Sequence, residues 1–125
     1  MARRSGPPSP AKIDREWPYQ VALPDDLCTG HSYQLIREFC AEHGLTPLTR
    51  SVQAVWPDRK CEQWRLHCFA DPEHAKLFRN HFQGVEFVPS RDREGGRARG
   101  VWRRDGDYRR ILDLGPLSVP AILRN

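Results

Sequence analysis

The sequence predicts an α+β domain, a ferredoxin-like βαββαβ sandwich carrying a disordered N-terminal tail and a C-terminal β-hairpin extension. Three observations carry this. Apolar residues alternate over 17–23, two helical stripes with clear end signals occupy 30–43 and 72–82, and a polar turn joins two β-compatible runs between 51 and 69. At 125 residues the chain is the size of one domain, able to bury roughly two thirds of its unfolded surface.

In the first strand, Trp17, Tyr19, Val21 and Leu23 alternate with Pro18, Gln20 and Ala22, and Pro24 ends the run. The first helix follows, with Tyr33, Leu35, Ile36, Phe39 and Cys40 at i, i+3, i+4 spacing and Gly44 as its stop. Residues 51–56 and 62–69 read as strands joined by Pro57-Asp58-Arg59-Lys60. Asp71 then caps a helix that begins at Pro72, places Glu73 in its first turn, carries apolar Ala75, Leu77, Phe78 and Phe82 along it, and ends before Gly84. Residues 85–88 form the fourth strand, closed by Pro89. The predicted core is Tyr19, Val21, Leu23, Leu35, Ile36, Phe39, Trp64, Leu66, Cys68, Phe78 and Phe82. The sheet face away from the helices then presents Gln20, Ala22, Gln63, Arg65, His67 and Phe69.

Outside this core at 15–90, residues 1–14 are rich in proline and lack hydrophobic period, which predicts a disordered tail. Residues 91–125 read as an arginine-rich linker, a hairpin and an arm. The stretch 90–100 holds four arginines and three glycines, so it reads as flexible. Asp105-Gly106 between β-compatible runs predicts a hairpin that sets Trp102 opposite Arg109 and Arg103 opposite Tyr108. The final apolar residues 114–123 are interrupted by Pro116 and Pro120 and fit an extended arm. Charge follows the same division: the net +4 places +3 on residues 1–12, −3 on 13–90 and +4 on 91–125. No stretch approaches the roughly 20 apolar residues needed to cross a bilayer, so no membrane partner is expected. Arg3 and Arg4 are followed by Ser5 to Pro10 where an export signal needs an apolar region, which predicts an unprocessed cytoplasmic protein with free thiols.

The block 17–89, with Trp17-Pro18-Tyr19-Gln20-Val21-Ala22-Leu23-Pro24 and with Cys28-Thr29-Gly30 ahead of the helix, resembles a family of small uncharacterised alphaproteobacterial proteins of unknown function. The resemblance covers a little over half of the chain. It implies a bacterial cytoplasmic setting and brings no catalytic residue with it.

Cys28-x-x-His31 and Cys40-x-x-His43 have the look of half zinc sites. A helix over 30–43 separates Cys28 from Cys40 by roughly 15 to 18 Å at 1.5 Å per residue, too far for ligands that must converge on one ion. No metal or cofactor is expected, and Cys40 and Cys68 read as small core residues. Cys28, ahead of a helix N-terminus, reads either as an activated thiol or as a residue tucked against the sheet. His74 and His81 read as exposed helix residues. The uncovered sheet face, through Gln20, Gln63, Arg65, His67 and Phe69, reads as a ligand surface or an interface, without the aromatic pair of an RNA-recognition motif.

The segment 91–110 holds eight arginines, Trp102 and Tyr108. Arginines suit phosphates and aromatic rings suit stacked bases, although Asp92, Glu94, Asp105 and Asp107 temper the charge. The leading expectation is a small binding or regulatory protein whose extension contacts an acidic partner, nucleic acid first, through Arg97, Arg99, Trp102, Arg103, Arg104, Tyr108, Arg109 and Arg110. One alternative is an interaction or homo-oligomerisation subunit that uses the hairpin and arm. A third is a small enzyme using Cys28 or the Arg65/His67 pair, which no acid–base pair, nucleotide loop or metal motif supports.

Overall fold

A computed structural model describes residues 7–124 of the chain. The elements run α1 (Pro10–Glu16), β1 (Tyr19–Pro24), α2 (Gly30–His43), β2 (Leu48–Val55), β3 (Cys61–Phe69), α3 (Pro72–Phe82), β4 (Val85–Phe87), α4 (Pro89–Asp92), β5 (Trp102–Arg103), β6 (Asp113–Leu114) and β7 (Leu117–Ser118). The architecture is mixed α+β. Strands β4-β1-β3-β2-β5 form one sheet, antiparallel except where β5 lies parallel to β2, and β6 and β7 pair separately.

The two long helices form where their end signals place them. Gly44 takes a left-handed conformation, φ 66°, and closes α2. The Asp71 carboxylate accepts the Glu73 N–H at 2.9 Å at the start of α3. Gly84 is needed for a different reason: a Cβ there would lie 2.5 Å from Val21 Cγ1, so only glycine lets α3 return closely over β1.

Both faces of the sheet are covered. On one, Ile36, Phe39, Phe78 and Phe82 of the helices meet Val21, Leu23 and Phe69. On the other, Ile13 of α1 and Trp102 of β5 close over Ala22, Val52, Trp64, Leu66, Cys68 and Phe87. This corrects the predicted core assignment. Residues directly opposite in an antiparallel pair share a face, and the register sets Val21 against His67 and Ala22 against Leu66. Trp64, Leu66 and Cys68 therefore point away from α2 and α3, while Arg65, His67 and Phe69 point toward them. A strand buried on both sides carries no polar face, and a shift of one residue exchanges the faces.

Three further expectations are corrected. Residues 10–14 are not tail: Ser9 Oγ accepts the Lys12 N–H at 3.2 Å, Pro10 starts the helix, and Ile13 packs on the sheet. The part of the predicted tail at residues 1–6 lies outside the described residues. The stretch 90–100 is not a free linker, since it contains part of α4 and a buried Arg93. The hairpin about Asp105-Gly106 does not form; Trp102 pairs with Ala54, and the Arg104 N–H donates to Val55 O at 2.8 Å. An isolated two-stranded ribbon is marginal in water, whereas extending an existing sheet buries Trp102. The hairpin that does form turns at Gly115-Pro116 and delivers Leu117 and Val119 into the helix-side core.

Candidate functional site

The arginine-rich extension divides into an inner and an outer set. Arg93 is 3% exposed. Its Nη1 donates to Gly100 O at 3.0 Å, its Nη2 to Ser51 O at 3.3 Å, and its Nε lies 3.7 Å from Asp14 Oδ2. The other Asp14 oxygen accepts Arg50 Nη1 at 2.6 Å and Gln20 Nε2 at 3.1 Å. One carboxylate of α1 thus compensates two guanidinium groups in the layer beneath it, and ties α1, β1, β2 and the 89–100 segment together. Burial lowers the Arg93 pKa, and Arg50 beside it acts the same way.

Trp102 is buried, edge-on to Trp64 and Phe87 with centroids 5.4 and 5.0 Å away. Tyr108 stands edge-on to Trp56, and its hydroxyl donates to Glu62 Oε2 at 3.0 Å. Trp102 is therefore closed to a stacking base, while Tyr108 stays partly exposed. Arg104 is folded over the tryptophans, and Arg110 donates to Asp26 Oδ2 at 3.0 Å and to Leu123 O. Arg91 and Arg110 are exposed but held by Asp92 at 2.8 Å and by Asp26; the remaining exposed arginines of the extension, Arg97, Arg99, Arg103 and Arg109, form the outer set. Arg97 and Arg103 share Glu94 at 3.6 and 2.6 Å while their side chains stay 66% and 69% exposed. Among the described residues Arg99 and Arg109 meet no carboxylate within 4.0 Å.

The predicted sheet-face group is not brought together. Gln20 is buried under α1, on the face opposite Arg65, His67 and Phe69. Gln63 is exposed toward the β2–β3 turn. Arg65 Nε donates to Asp25 Oδ1 at 3.0 Å on the partly exposed helix side. Phe69 packs on Phe78, and His67 is 4% exposed with its ring centroid 4.7 Å from that of Phe78. Burial pushes the His67 pKa down to about 4, and nearby Arg65 adds to the shift. The imidazole is neutral at pH 7.

Cys28 is buried too, and its thiol points to Pro24 O at 3.6 Å. Burial, and after it the charge of Asp25, push its pKa up to about 12, overriding any help from the helix N-terminus. Two surface clefts flank the helices, one between β1, α3 and β4 by Tyr19, Lys76, Arg79 and Glu86, the other between α2 and α3 by Phe39, His43 and His81. Neither is lined by Cys28, Arg65 or His67.

Sequence reasoning missed the Asp14, Gln20, Arg50 and Arg93 network, which draws Arg50 and Arg93 from 30 or more residues beyond Asp14 and Gln20 and has no spacing to signal it. It also missed the grouping of Trp56, Trp64 and Trp102 around Arg104; the count of four tryptophans in so short a chain was the available sign. No protein-family model, curated protein or solved structure matches the chain. No helix among the described residues is long and apolar enough to cross a membrane.

Proposed function

We propose that this is a small binding module that holds an acidic partner, nucleic acid, by its phosphates and without base stacking. The observation that carries the reading is the division of the extension: Trp102 is buried and Tyr108 is tied to Glu62 and Trp56, whereas Arg97, Arg99, Arg103 and Arg109 stand outside, two of them without a carboxylate. Such a surface neutralises a backbone and reads little sequence. The support for a ferredoxin-like core beneath it is the element order β-α-β-β-α-β with antiparallel pairing of β1 to β4. The parallel β5 and the covered second face are additions to that plan. A cytoplasmic setting suits a chain with four free cysteines.

The alternative of oligomerisation through the arm has lost most of its apolar surface, because Leu117 and Val119 are buried in the chain's own core and only Ile122 and Leu123 stay exposed among the large apolar residues there. The test is a titration of fluorescently labelled duplex and single-stranded DNA across a salt series. Binding should weaken with salt at a log–log slope of about −3, as three or four phosphate contacts would give, with no gain for the single strand. Salt-independent binding, or no binding at low salt, would remove the reading.

A further inference from the structure

The Arg104 guanidinium carbon lies 4.1 Å from the ring centroid of Trp102, 5.4 Å from Trp64 and 5.6 Å from Trp56. The three rings come from β5, from β3 and from the residue after β2, so neighbouring strands build a rigid box. Glu62 braces it, accepting Trp64 Nε1 at 3.0 Å and the Tyr108 hydroxyl at 3.0 Å. Elsewhere the fold gives its buried guanidinium groups oxygens, as Arg50 has Asp14 and Pro10. Arg104 receives aromatic faces instead. Its Nη1 is buried without a hydrogen-bond partner, and among the described residues no carboxylate lies within 4.0 Å of it. Burial lowers the Arg104 pKa, while Asp92, Asp105 and Glu62 oppose that shift from a distance, so the box lies in a negative field.

A box with ring faces, a negative field and no acceptor suits a cation that has no donors to satisfy. Guanidinium has five N–H bonds, and here one nitrogen goes unanswered; a quaternary ammonium has none and loses nothing on entry. The exit is also available. The Arg104 backbone is held by Val55 O, but the next residues, Asp105, Gly106 and Asp107, are exposed, and Gly106 has open space around it. The side chain can swing out while the strand stays paired.

We infer that the Trp56, Trp64 and Trp102 box is a binding site for a methylated ammonium group, which Arg104 fills in the free protein and vacates for the ligand. This site takes a cation and is separate from the phosphate surface, so either reading stands if the other fails. The probe is tetramethylammonium chloride, titrated into the full chain and into R104A and R104Q against sodium chloride at matched ionic strength, with tryptophan fluorescence and indole N–H shifts as readouts. Both variants should respond saturably in the millimolar range, at least about tenfold more tightly than the parent chain, in which Arg104 competes. Guanidinium should bind more weakly than tetramethylammonium. If a variant does not fold, tetramethylammonium should restore its cooperative unfolding transition. The inference is overturned by a folded variant without a saturable response, an unfolded one that the cation does not restore, or equal responses from variant and parent.

Discussion

Arg93 and Arg99 are six residues apart in one arginine- and glycine-rich stretch, yet one is buried against Ser51, Gly100 and Asp14 and the other is exposed and meets no carboxylate. Composition treats them alike; tertiary position makes one a fastener and leaves the other exposed to solvent. The difference arises where a backbone carbonyl and a carboxylate are waiting in the layer below, because a charge leaves water only when such groups replace it.

The two arginines differ most in what they give to stability. Replacing Arg93 by alanine should cost about 2 to 4 kcal/mol, since it leaves the carbonyls of Gly100 and Ser51 unanswered and removes one of the two guanidinium groups beside Asp14, which keeps Arg50. Replacing Arg99 should change stability by less than about 0.5 kcal/mol. Urea denaturation of the two variants makes the contrast directly, and equal losses would refute the division.

A buried basic group that stays neutral sharpens the contrast with buried arginines that stay charged. The folded pKa of His67, about 4, lies below its ordinary 6.5, so the unfolded chain takes up a proton first. Its contribution is intact above about pH 6.5 and is lost as the pH falls toward 4, by about 3 kcal/mol. Chemical denaturation between pH 7 and 4 should show this loss, and H67F should show less of it.

A smaller effect concerns how the C-terminal segment is tied down. Ser32 Oγ donates to Ser118 O at 2.8 Å and accepts the Ser118 N–H at 3.0 Å, fastening β7 to α2. S32A should cost about 1 to 2 kcal/mol. Smallest in stability is the double variant R99A/R109A, expected to unfold like the parent while reducing the salt slope of DNA binding by about 2.

The sequence made some of this legible and hid the rest for physical reasons. Helices α2 and α3 could be read because their local signals, Gly44 and Asp71, act within one turn. The facing of β3 could not, because Trp64, Leu66, His67, Cys68 and Phe69 are all buried and the alternation carries no sign. Helix α1 was hidden by the proline-rich run of Pro7, Pro8 and Pro10 at its start, although Ser9-Pro10 is a cap followed by a first-turn proline. The Asp105-Gly106 turn was a sound local signal that lost to a non-local one, the burial of Trp102 against Trp64 and Phe87. Within the candidate site, Arg97, Arg99, Arg103 and Arg109 were legible as surface charge, whereas the engagement of Trp102, Arg104, Tyr108 and Arg110 depends on partners on other strands, such as Trp64 and Glu62, or on Asp26 and the closing arm.

The arginine-rich extension is a layer of the same fold, and its outer arginines project from that layer. Native-state hydrogen exchange of the full chain tests it at the amides of Glu94, Arg104 and Val119, which donate to Val101 O, Val55 O and Leu112 O. Those three amides should open with the same free energy as the β1 and β3 amides, through global unfolding. Exchange at the rate of an unstructured chain, while β1 and β3 remain protected, would show that the extension is not part of that layer.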